Sequence, residues 1–237
     1  MFRSVLVIPD MHIPAMHIDS FNFIKAVSKI YEPDKVINLG DELDYHCLSF
    51  HETETECPYT ESSEFEESKR YFSNFYDMFS SMDIMESNHG SLVFRKAKSC
   101  RIPRQFLLTY NQVLDAPKTY VWHDKLIIDT PRGKVLFSHG HYAPKSALKK
   151  SQLRSMSIVQ GHYHNDFCIE YWENDLGNRY FGATAGCLID DDKYAFLYNK
   201  TYIPRPQLGC LVIHNGVPIL IPMLLNEKKR WLGYTSL

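Results

Sequence analysis

Short groups of aspartate, asparagine and histidine residues stand directly after apolar runs at five places in the chain. In the first group, Asp10-Met11-His12, residues two apart in an extended segment point the same way, so a carboxylate and an imidazole converge. The later groups are Gly40-Asp41-Glu42-Leu43-Asp44, Asn88-His89, Ser138-His139-Gly140-His141 and Gly161-His162-Tyr163-His164. Carboxylate, amide and imidazole side chains are typical ligands of metal ions.

Taken together, the five groups predict a dinuclear metal site. Open α/β folds place their ligand sites at the carboxyl ends of strands, where all five groups are expected to fall. Unpartnered Asp and His side chains are costly to bury, so core packing does not account for them. Asp41 offers two oxygens that could bridge two cations. Mixed oxygen and imidazole ligands without thiolate favour manganese, iron, zinc or a similar first-row ion over calcium or a structural zinc site.

The elements that must position these groups alternate between strands and helices in the first half of the chain. Strands are predicted at residues 4–8, 35–39 and 83–86, and helices at residues 20–31 and 62–80. From about residue 120 the pattern is mainly β, with predicted strands at residues 125–129, 134–138, 157–160, 179–184, 209–214 and 217–222. This order predicts an α/β fold, as two sheets packed face to face between helices or as one mixed sheet.

The composition is that of an ordinary packed globular protein, with 44% hydrophobic and 23% charged residues among 237. We expect one domain over residues 1–237, with the acidic stretch at residues 52–67 as a solvated insertion. The formal net charge of -2 excludes a global cationic field, so any nucleic-acid contact would be local.

Targeting and redox signals are weak in this sequence. No window approaches the ~20 consecutive apolar residues of a membrane span, and the N-terminal apolar run is too short for a signal peptide, so we expect a cytoplasmic protein with no membrane partner. The six cysteines form no C-x-x-C pair, which favours free thiols over disulfides or a zinc ribbon.

The five groups resemble the motif blocks of the calcineurin-like metallophosphoesterases, which read D-x-H, G-D-x-x-D, G-N-H-[DE], H-[GA] and G-H-x-H. All five occur in this order between Asp10 and His164, about two thirds of the chain. Further on, Ala185-Gly186-Cys187-Leu188 resembles a segment of small single-domain, phage-encoded members, which would act in a host cytoplasm. The resemblance implies a four-layer αββα sandwich of two mixed β-sheets flanked by helices.

The resemblance also implies a role for each motif residue. One metal ion would be held by Asp10, His12 and His164, the other by Asn88, His139 and His162, with Asp41 bridging both. His89 would not be a ligand; it would face the substrate and protonate or stabilise the leaving oxygen, with Asp44 orienting it.

The activity implied is hydrolysis of phosphate mono- or diesters by in-line attack of a metal-bridging hydroxide, with two divalent ions. Mn²⁺ is the expected metal, with Fe, Zn or Ni as alternatives. The expected substrate is a nucleotide or a nucleic-acid end, so the enzyme would be a phosphatase, phosphodiesterase or nuclease. Weaker candidates for substrate contacts are Arg95, His141 and His46.

Two departures from the family pattern keep other functions open. The third block reads Ser87-Asn88-His89-Gly90, so its leading glycine and trailing acid are missing. Asp44 is followed by Tyr45-His46, so the phosphate-clamping arginine of Ser/Thr protein phosphatases is absent there. The alternatives are a broad-specificity protein phosphatase and a non-catalytic binding module, as the retromer subunit resembling this family is.

Overall fold

The computed structural model describes residues 1–50, 57–190, 192–193 and 205–235. The strands are β1 (Ser4–Ile8), β2 (Lys35–Asn38), β3 (Met82–Met85), β4 (Tyr120–His123), β5 (Leu126–Thr130), β6 (Gly133–Ser138), β7 (Ser157–Gln160), β8 (Phe167–Glu173), β9 (Arg179–Ala185), β10 (Gly209–His214) and β11 (Val217–Pro222). The helices are α1 (Ser20–Tyr31), α2 (Glu61–Phe72), α3 (Asn74–Met78), α4 (Leu92–Ser99), α5 (Tyr110–Leu114) and α6 (Ala147–Arg154). Short 3-10 helices cover His46–Leu48 and Arg104–Phe106.

The strands form two mixed sheets. The first sheet has the order β11-β10-β1-β2-β3-β4, in which β1 to β4 run parallel, β10 pairs antiparallel with β1, and β11 pairs antiparallel with β10. The second has the order β5-β6-β7-β9-β8, with a parallel centre of β6, β7 and β9 and an antiparallel strand at each edge. Because β1, β2 and β3 are parallel, their carboxyl ends lie at one edge of the first sheet.

The sheets pack face to face, with helices on the outer faces. Alternate residues of β1 divide between two cores, since Val5 and Val7 pack between the sheets while Leu6 and Ile8 pack against the helices. On the outer face of the second sheet, α6 lies directly on β9. A Cβ at Gly182 would come within 2.4 Å of the Ala147 carbonyl carbon. These layers confirm the α/β sandwich expected from the sequence.

The element prediction is correct for most of the chain and is corrected in three places. The single helix expected over residues 62–80 is two helices, α2 and α3, which meet at Ser73; this residue keeps helical backbone angles and serves as the C-cap of α2 and the N-cap of α3. The strands β4 and β8 were not expected. The edge strand β8 has no buried face in its residue pattern, so it lacks the alternation that marks a half-buried strand.

The expected solvated acidic insertion at residues 52–67 is corrected in its second half. Residues 51–56 lie outside the described residues, whereas Glu61 to Glu67 form the first turns of α2. Glu64 is only 2% exposed, and its carboxylate accepts hydrogen bonds from the backbone N–H groups of His46, at 2.6 Å, and Cys47, at 2.8 Å. This glutamate therefore fixes the segment that follows Asp44, while Glu61 and Glu66 face solvent.

The remaining expectations from composition concern thiols and membranes. All six cysteines are free, as the absence of C-x-x-C pairs predicts. Within the part of the chain that the structure describes, no helix is long and apolar enough to cross a membrane.

Candidate metal centre

All five polar groups lie where a strand ends at its carboxyl side. Asp10 and His12 follow β1, Asp41 follows β2, and Asn88 and His89 follow β3. From the second sheet, His139 follows β6, and His162 and His164 follow β7. The two sheets thus bring the expected residues together at one end of the sandwich, as the strand-end rule for α/β folds predicts.

The backbone at this edge is bent in ways that few sequences allow. His12, Asp41 and His162 adopt left-handed φ angles of 49°, 45° and 67°, conformations that cost non-glycine residues free energy and cluster at functional sites. At Gly161 no side chain fits, since a Cβ there would lie 2.3 Å from Asp10 Oδ1. Gly40 has a φ of 93°, and a Cβ would lie 2.6 Å from the Met85 carbonyl oxygen. The two glycines therefore allow these loops to approach each other closely.

A first cluster of donor atoms comes from Asp10, His12, Asp41 and His164. One donor atom of each side chain lies within 4.8 Å of the other three. His12 Nε2 is 3.4 Å from Asp41 Oδ2 and 3.3 Å from His164 Nε2. His164 Nε2 is 3.1 Å from Asp10 Oδ2. This cluster can hold one cation with two carboxylates and two imidazoles.

A second cluster comes from Asp41, Asn88, His139 and His162. The donor atoms of Asp41, His139 and His162 lie within 4.8 Å of one another. His139 Nε2 is 3.2 Å from Asp41 Oδ2 and 2.7 Å from Asn88 Oδ1. Asp41 is the one carboxylate common to both clusters among the described residues. A carboxylate in this shared position could contact a cation in each cluster.

The Nδ1 atoms of two of these histidines form hydrogen bonds with acceptors outside the clusters. His12 Nδ1 lies 2.7 Å from Asp44 Oδ1, and His139 Nδ1 lies 2.9 Å from the Leu39 carbonyl oxygen. Each acceptor fixes Nδ1 as the donor and leaves Nε2 to face the cluster. This is the arrangement in which metal-binding histidines are normally held.

The electrostatics of the site fit a pair of cations. Asp10 Oδ1 is buried and has no hydrogen-bond partner among the described residues, which is costly unless a cation contacts it. Burial would lower the pKa of His12, but hydrogen bonds and charge from Asp41 and Asp44 outweigh it and raise the pKa to about 10. For His139, burial is likewise outweighed by Asp41 and Asp10, which raise its pKa to about 9. Without metal, the protein's own protonated histidines balance the buried carboxylates.

His89 lies beside the clusters and belongs to neither of the two that contain Asp41. Its backbone N–H donates to Asp41 Oδ1 at 3.0 Å, and its Nδ1 lies 2.5 Å from the Asp44 carbonyl oxygen. Nδ1 is also 3.3 Å from Asp44 Oδ1. The side chain is 29% exposed, so it reaches the surface, whereas those of His12 and His139 do not. Although burial opposes it, the charge of Asp41, with Asp44, raises the pKa of His89.

Comparisons with known proteins bear on the fold alone. No family model matches the chain, and no curated protein matches its sequence. Vacuolar protein sorting 29 from Cryptosporidium parvum superposes with a TM-score of 0.50 at 15% identity, over 96% of this chain and 94% of that chain. Yfce, a phosphoesterase from E. coli, has a TM-score of 0.50 at 11% identity, over 97% and 96%. For an archaeal phosphodiesterase the TM-score is 0.48 at 12% identity, over 92% and 99%.

Two of these superpositions reach 0.50 and extend over nearly the whole of both chains. The chain has the calcineurin-like metallophosphoesterase fold. The fold that the motif resemblance implies is therefore confirmed, with its two mixed sheets between helices. The narrower resemblance to phage-encoded members stays a prediction.

Local contacts accommodate the two departures in the third block. Ser87 Oγ accepts a hydrogen bond from Gly90 N–H at 3.1 Å, so serine closes this turn. A Cβ at Gly90 would lie 3.4 Å from both carboxyl oxygens of Glu42. Glu42 is buried, and Trp122 Nε1 donates to its Oε1 at 3.0 Å. The carboxyl group next to this turn thus comes from the second block. No sequence signal marks it, because Glu42 stands at a variable motif position.

The weaker candidates for substrate contacts occupy different settings around the candidate metal centre. Arg95 is exposed, and its Nη1 donates to the Asn88 carbonyl oxygen at 3.1 Å. His141 is half-buried against Tyr142, with ring centroids 3.8 Å apart, and lines a cavity of about 590 Å³ that also borders His139. His46 is buried, which favours a supporting role over substrate contact.

Proposed function

We propose that this chain is a metal-dependent phosphoesterase with two divalent cations, acting on phosphate mono- or diesters of nucleotides or nucleic-acid ends. The observation that carries the proposal is the pair of donor clusters that share Asp41, with the partly exposed His89 beside them. Mn²⁺ is the proposed metal, with Fe, Zn or Ni as alternatives, because the donor atoms are oxygen and imidazole nitrogen without thiolate. The proposed place of action is the cytoplasm.

The chain supplies ligands for both cations. Asp10, His12 and His164 would hold one, Asn88, His139 and His162 the other, and Asp41 would contact both. When bound, a pair of divalent cations supplies a nucleophile at neutral pH and stabilises the charge that develops on the phosphoryl oxygens.

His89 is the proposed general acid. Its Nδ1 donates to the carbonyl oxygen of Asp44, which turns Nε2 away from this contact and leaves it free to face a bound phosphoester. Because the pKa of His89 is raised above the ordinary histidine value, the imidazole keeps its proton to a higher pH than a free histidine does. Such a group can donate that proton to the leaving oxygen.

The alternative of a broad-specificity protein phosphatase has less support. The position after Asp44 is occupied by Tyr45 and His46, both buried, so no arginine stands there to clamp a phosphate. The alternative of a non-catalytic binding module is disfavoured because all seven expected ligands are retained in converging positions.

Hydrolysis of bis-p-nitrophenyl phosphate and p-nitrophenyl phosphate, each with Mn²⁺ and with chelator, tests the proposal. We expect Mn²⁺-dependent turnover of at least one compound, abolished by chelator and reduced roughly 10²–10⁴-fold in His89→Ala. His214→Ala, an exposed histidine at the end of β10, is the matched control and should keep full activity. Absence of metal-dependent turnover would overturn the proposal. Turnover of a phosphopeptide but of no nucleotide or DNA would overturn the substrate class.

A further inference from the structure

A dense basic segment begins next to the candidate site. Between residues 87 and 114 the sequence has no aspartate or glutamate. Five cations fall within ten residues of this stretch: Arg95, Lys96, Lys98, Arg101 and Arg104. We name residues 95–104 the α4 basic segment, since it covers the second half of α4 and the turn that follows it. It is a local charge concentration on a chain whose formal net charge is -2.

The charges of the α4 basic segment are not neutralised within the described part of the chain. Lys96 is half-buried, and the other four cations are exposed. None of the five forms an ion pair with a carboxylate among residues 1–50, 57–190, 192–193 and 205–235. Cations that lack a carboxylate partner and are clustered along one segment are suited to binding an anionic polymer.

Exposed apolar side chains interleave with these charges. Phe106, two residues after Arg104, is 72% exposed, and Phe50 is 52% exposed. The guanidinium of Arg95 lies 5.1 Å from the Phe50 ring centroid, and Lys96 Nζ lies 5.3 Å from it. Surfaces that hold single-stranded nucleic acid combine cations for the phosphates with aromatic rings on which bases stack.

The α4 basic segment is physically continuous with the candidate site. The first turn of α4 is tied to the third motif block, since Leu92 N–H donates to the His89 carbonyl oxygen at 2.9 Å. Arg95 Nη1 donates to the Asn88 carbonyl oxygen at 3.1 Å. Phosphates that flank a phosphoester bound at His89 would therefore meet these cations next.

We infer that the α4 basic segment binds the phosphodiester backbone of a single-stranded nucleic acid whose reacting phosphate lies at the metal centre, with Phe106 stacking on a base. The inference rests on the proposed function, because it names the polymer that the site would act on. An anionic membrane is the competing class of partner. The continuity with a phosphoester site favours the nucleic acid.

Binding of fluorescein-labelled dT20, followed by fluorescence anisotropy at 50 and 200 mM salt with EDTA present, tests this inference. The test variant is Lys98→Glu/Arg101→Glu/Arg104→Glu, which leaves Arg95 in place. The control is Lys25→Glu/Lys29→Glu/Lys118→Glu, which makes the same change in charge at exposed lysines of α1 and of the loop before β4. Vesicles containing phosphatidylserine are measured in parallel.

We expect the wild type and the control to bind dT20 alike and the test variant to bind at least about 10-fold more weakly. The slope of log Kd against log salt should fall by about 2, since each lost phosphate contact contributes about 0.7. Phe106→Ala should weaken binding by about 5-fold or more. Equal affinities of the test variant and the wild type, equal losses in test and control variants, or binding of vesicles but not of dT20 would each overturn the inference. Because binding is measured with EDTA, tight binding without hydrolysis would support the inference and contradict the proposed function alone.

Discussion

Asp44 Oδ1 accepts a hydrogen bond from His12 Nδ1 at 2.7 Å, in the buried layer behind the first donor cluster. The same oxygen is 3.3 Å from His89 Nδ1. The motif resemblance assigns Asp44 to His89 alone, whereas the structure joins it to a candidate metal ligand as well. Asp44 therefore couples the orientation of the proposed ligand to that of the proposed acid.

Replacement of this shared carboxylate should affect metal binding and turnover together. Asp44→Asn removes the charge that fixes the His12 tautomer, so we expect Mn²⁺ affinity to fall about 10–100-fold, the range found when such supporting groups are lost. At saturating Mn²⁺, kcat should still be reduced because the pKa of His89 loses one of the charges that raise it. Calorimetric titration and steady-state kinetics measure the two effects. An effect on kcat alone would show that Asp44 supports only His89.

The close approach of Gly161 to Asp10 gives a steric prediction. Gly161→Ala would place a methyl group 2.3 Å from Asp10 Oδ1 and displace that carboxylate. We expect loss of Mn²⁺ binding in a chain that still folds. Gly177→Ala is the control, because nothing lies within 4 Å of the added Cβ and its φ of 76° costs stability without touching the site. Equal Mn²⁺ affinity in the two variants would contradict the proposed ligand role of Asp10.

The raised pKa values of two candidate ligands make metal binding dependent on pH. In the metal-free protein His12 has a pKa of about 10 and His139 of about 9, so both carry a proton at pH 7 that a metal must displace. Affinity for Mn²⁺ should therefore rise as pH increases from 6 to 9. Calorimetry in buffers of different ionisation enthalpy should show release of about two protons per chain at pH 7. Binding without proton release would contradict the assignment of these histidines.

The same histidines determine how the stability of the metal-free protein depends on pH. Their folded pKa values exceed the unfolded value of about 6.5. Their contribution to stability is therefore fully present below pH 6.5 and is lost as pH rises through 9 to 10. Urea denaturation with EDTA at pH 6.5 and pH 9.5 should show lower stability at the higher pH, and addition of Mn²⁺ should reverse the difference.

We expect Glu64 to stabilise the fold, although it lies in an acidic stretch. Glu64→Ala leaves the buried N–H group of His46 and the neighbouring N–H of Cys47 without their acceptor, so we expect a loss of about 2–3 kcal/mol in the free energy of unfolding. Glu64→Gln keeps one acceptor oxygen and should recover part of this. Glu66→Ala, at an exposed position of the same helix, should change stability by less than about 0.5 kcal/mol. Equal losses of stability in Glu64→Ala and Glu66→Ala would contradict the role of Glu64 as a buried hydrogen-bond acceptor.

Strands and the residues that follow them can be predicted where they depend on a local pattern of apolar and polar residues. Strands such as β1 and β7 are apolar runs bounded by polar residues, and the residues after them are candidate metal ligands, so their convergence is expected from the strand-end rule. The edge strand β8 was not predicted because its residues do not alternate between a buried and an exposed face.

Contacts between distant segments could not be predicted, because they depend on which side chains the fold brings together. Glu42 lies beside Gly90, and Glu64 binds the segment after Asp44, yet both read as ordinary acidic residues in the sequence. A signal for Glu64 did exist: Glu64, Ser68 and Phe72 share one face of α2 at helical spacing, and all three are buried. Phe72, the apolar residue of this face, indicates that the face points into the core.

The measurement that tests the central claim most directly is the number of Mn²⁺ ions bound per chain, determined by elemental analysis and titration for the wild type and for Asp41→Asn. The account predicts two ions in the wild type and loss of high-affinity binding at both positions in Asp41→Asn, because this one carboxylate belongs to both clusters. A wild type that binds one ion or none, or an Asp41→Asn variant that keeps two tightly bound ions, would contradict it.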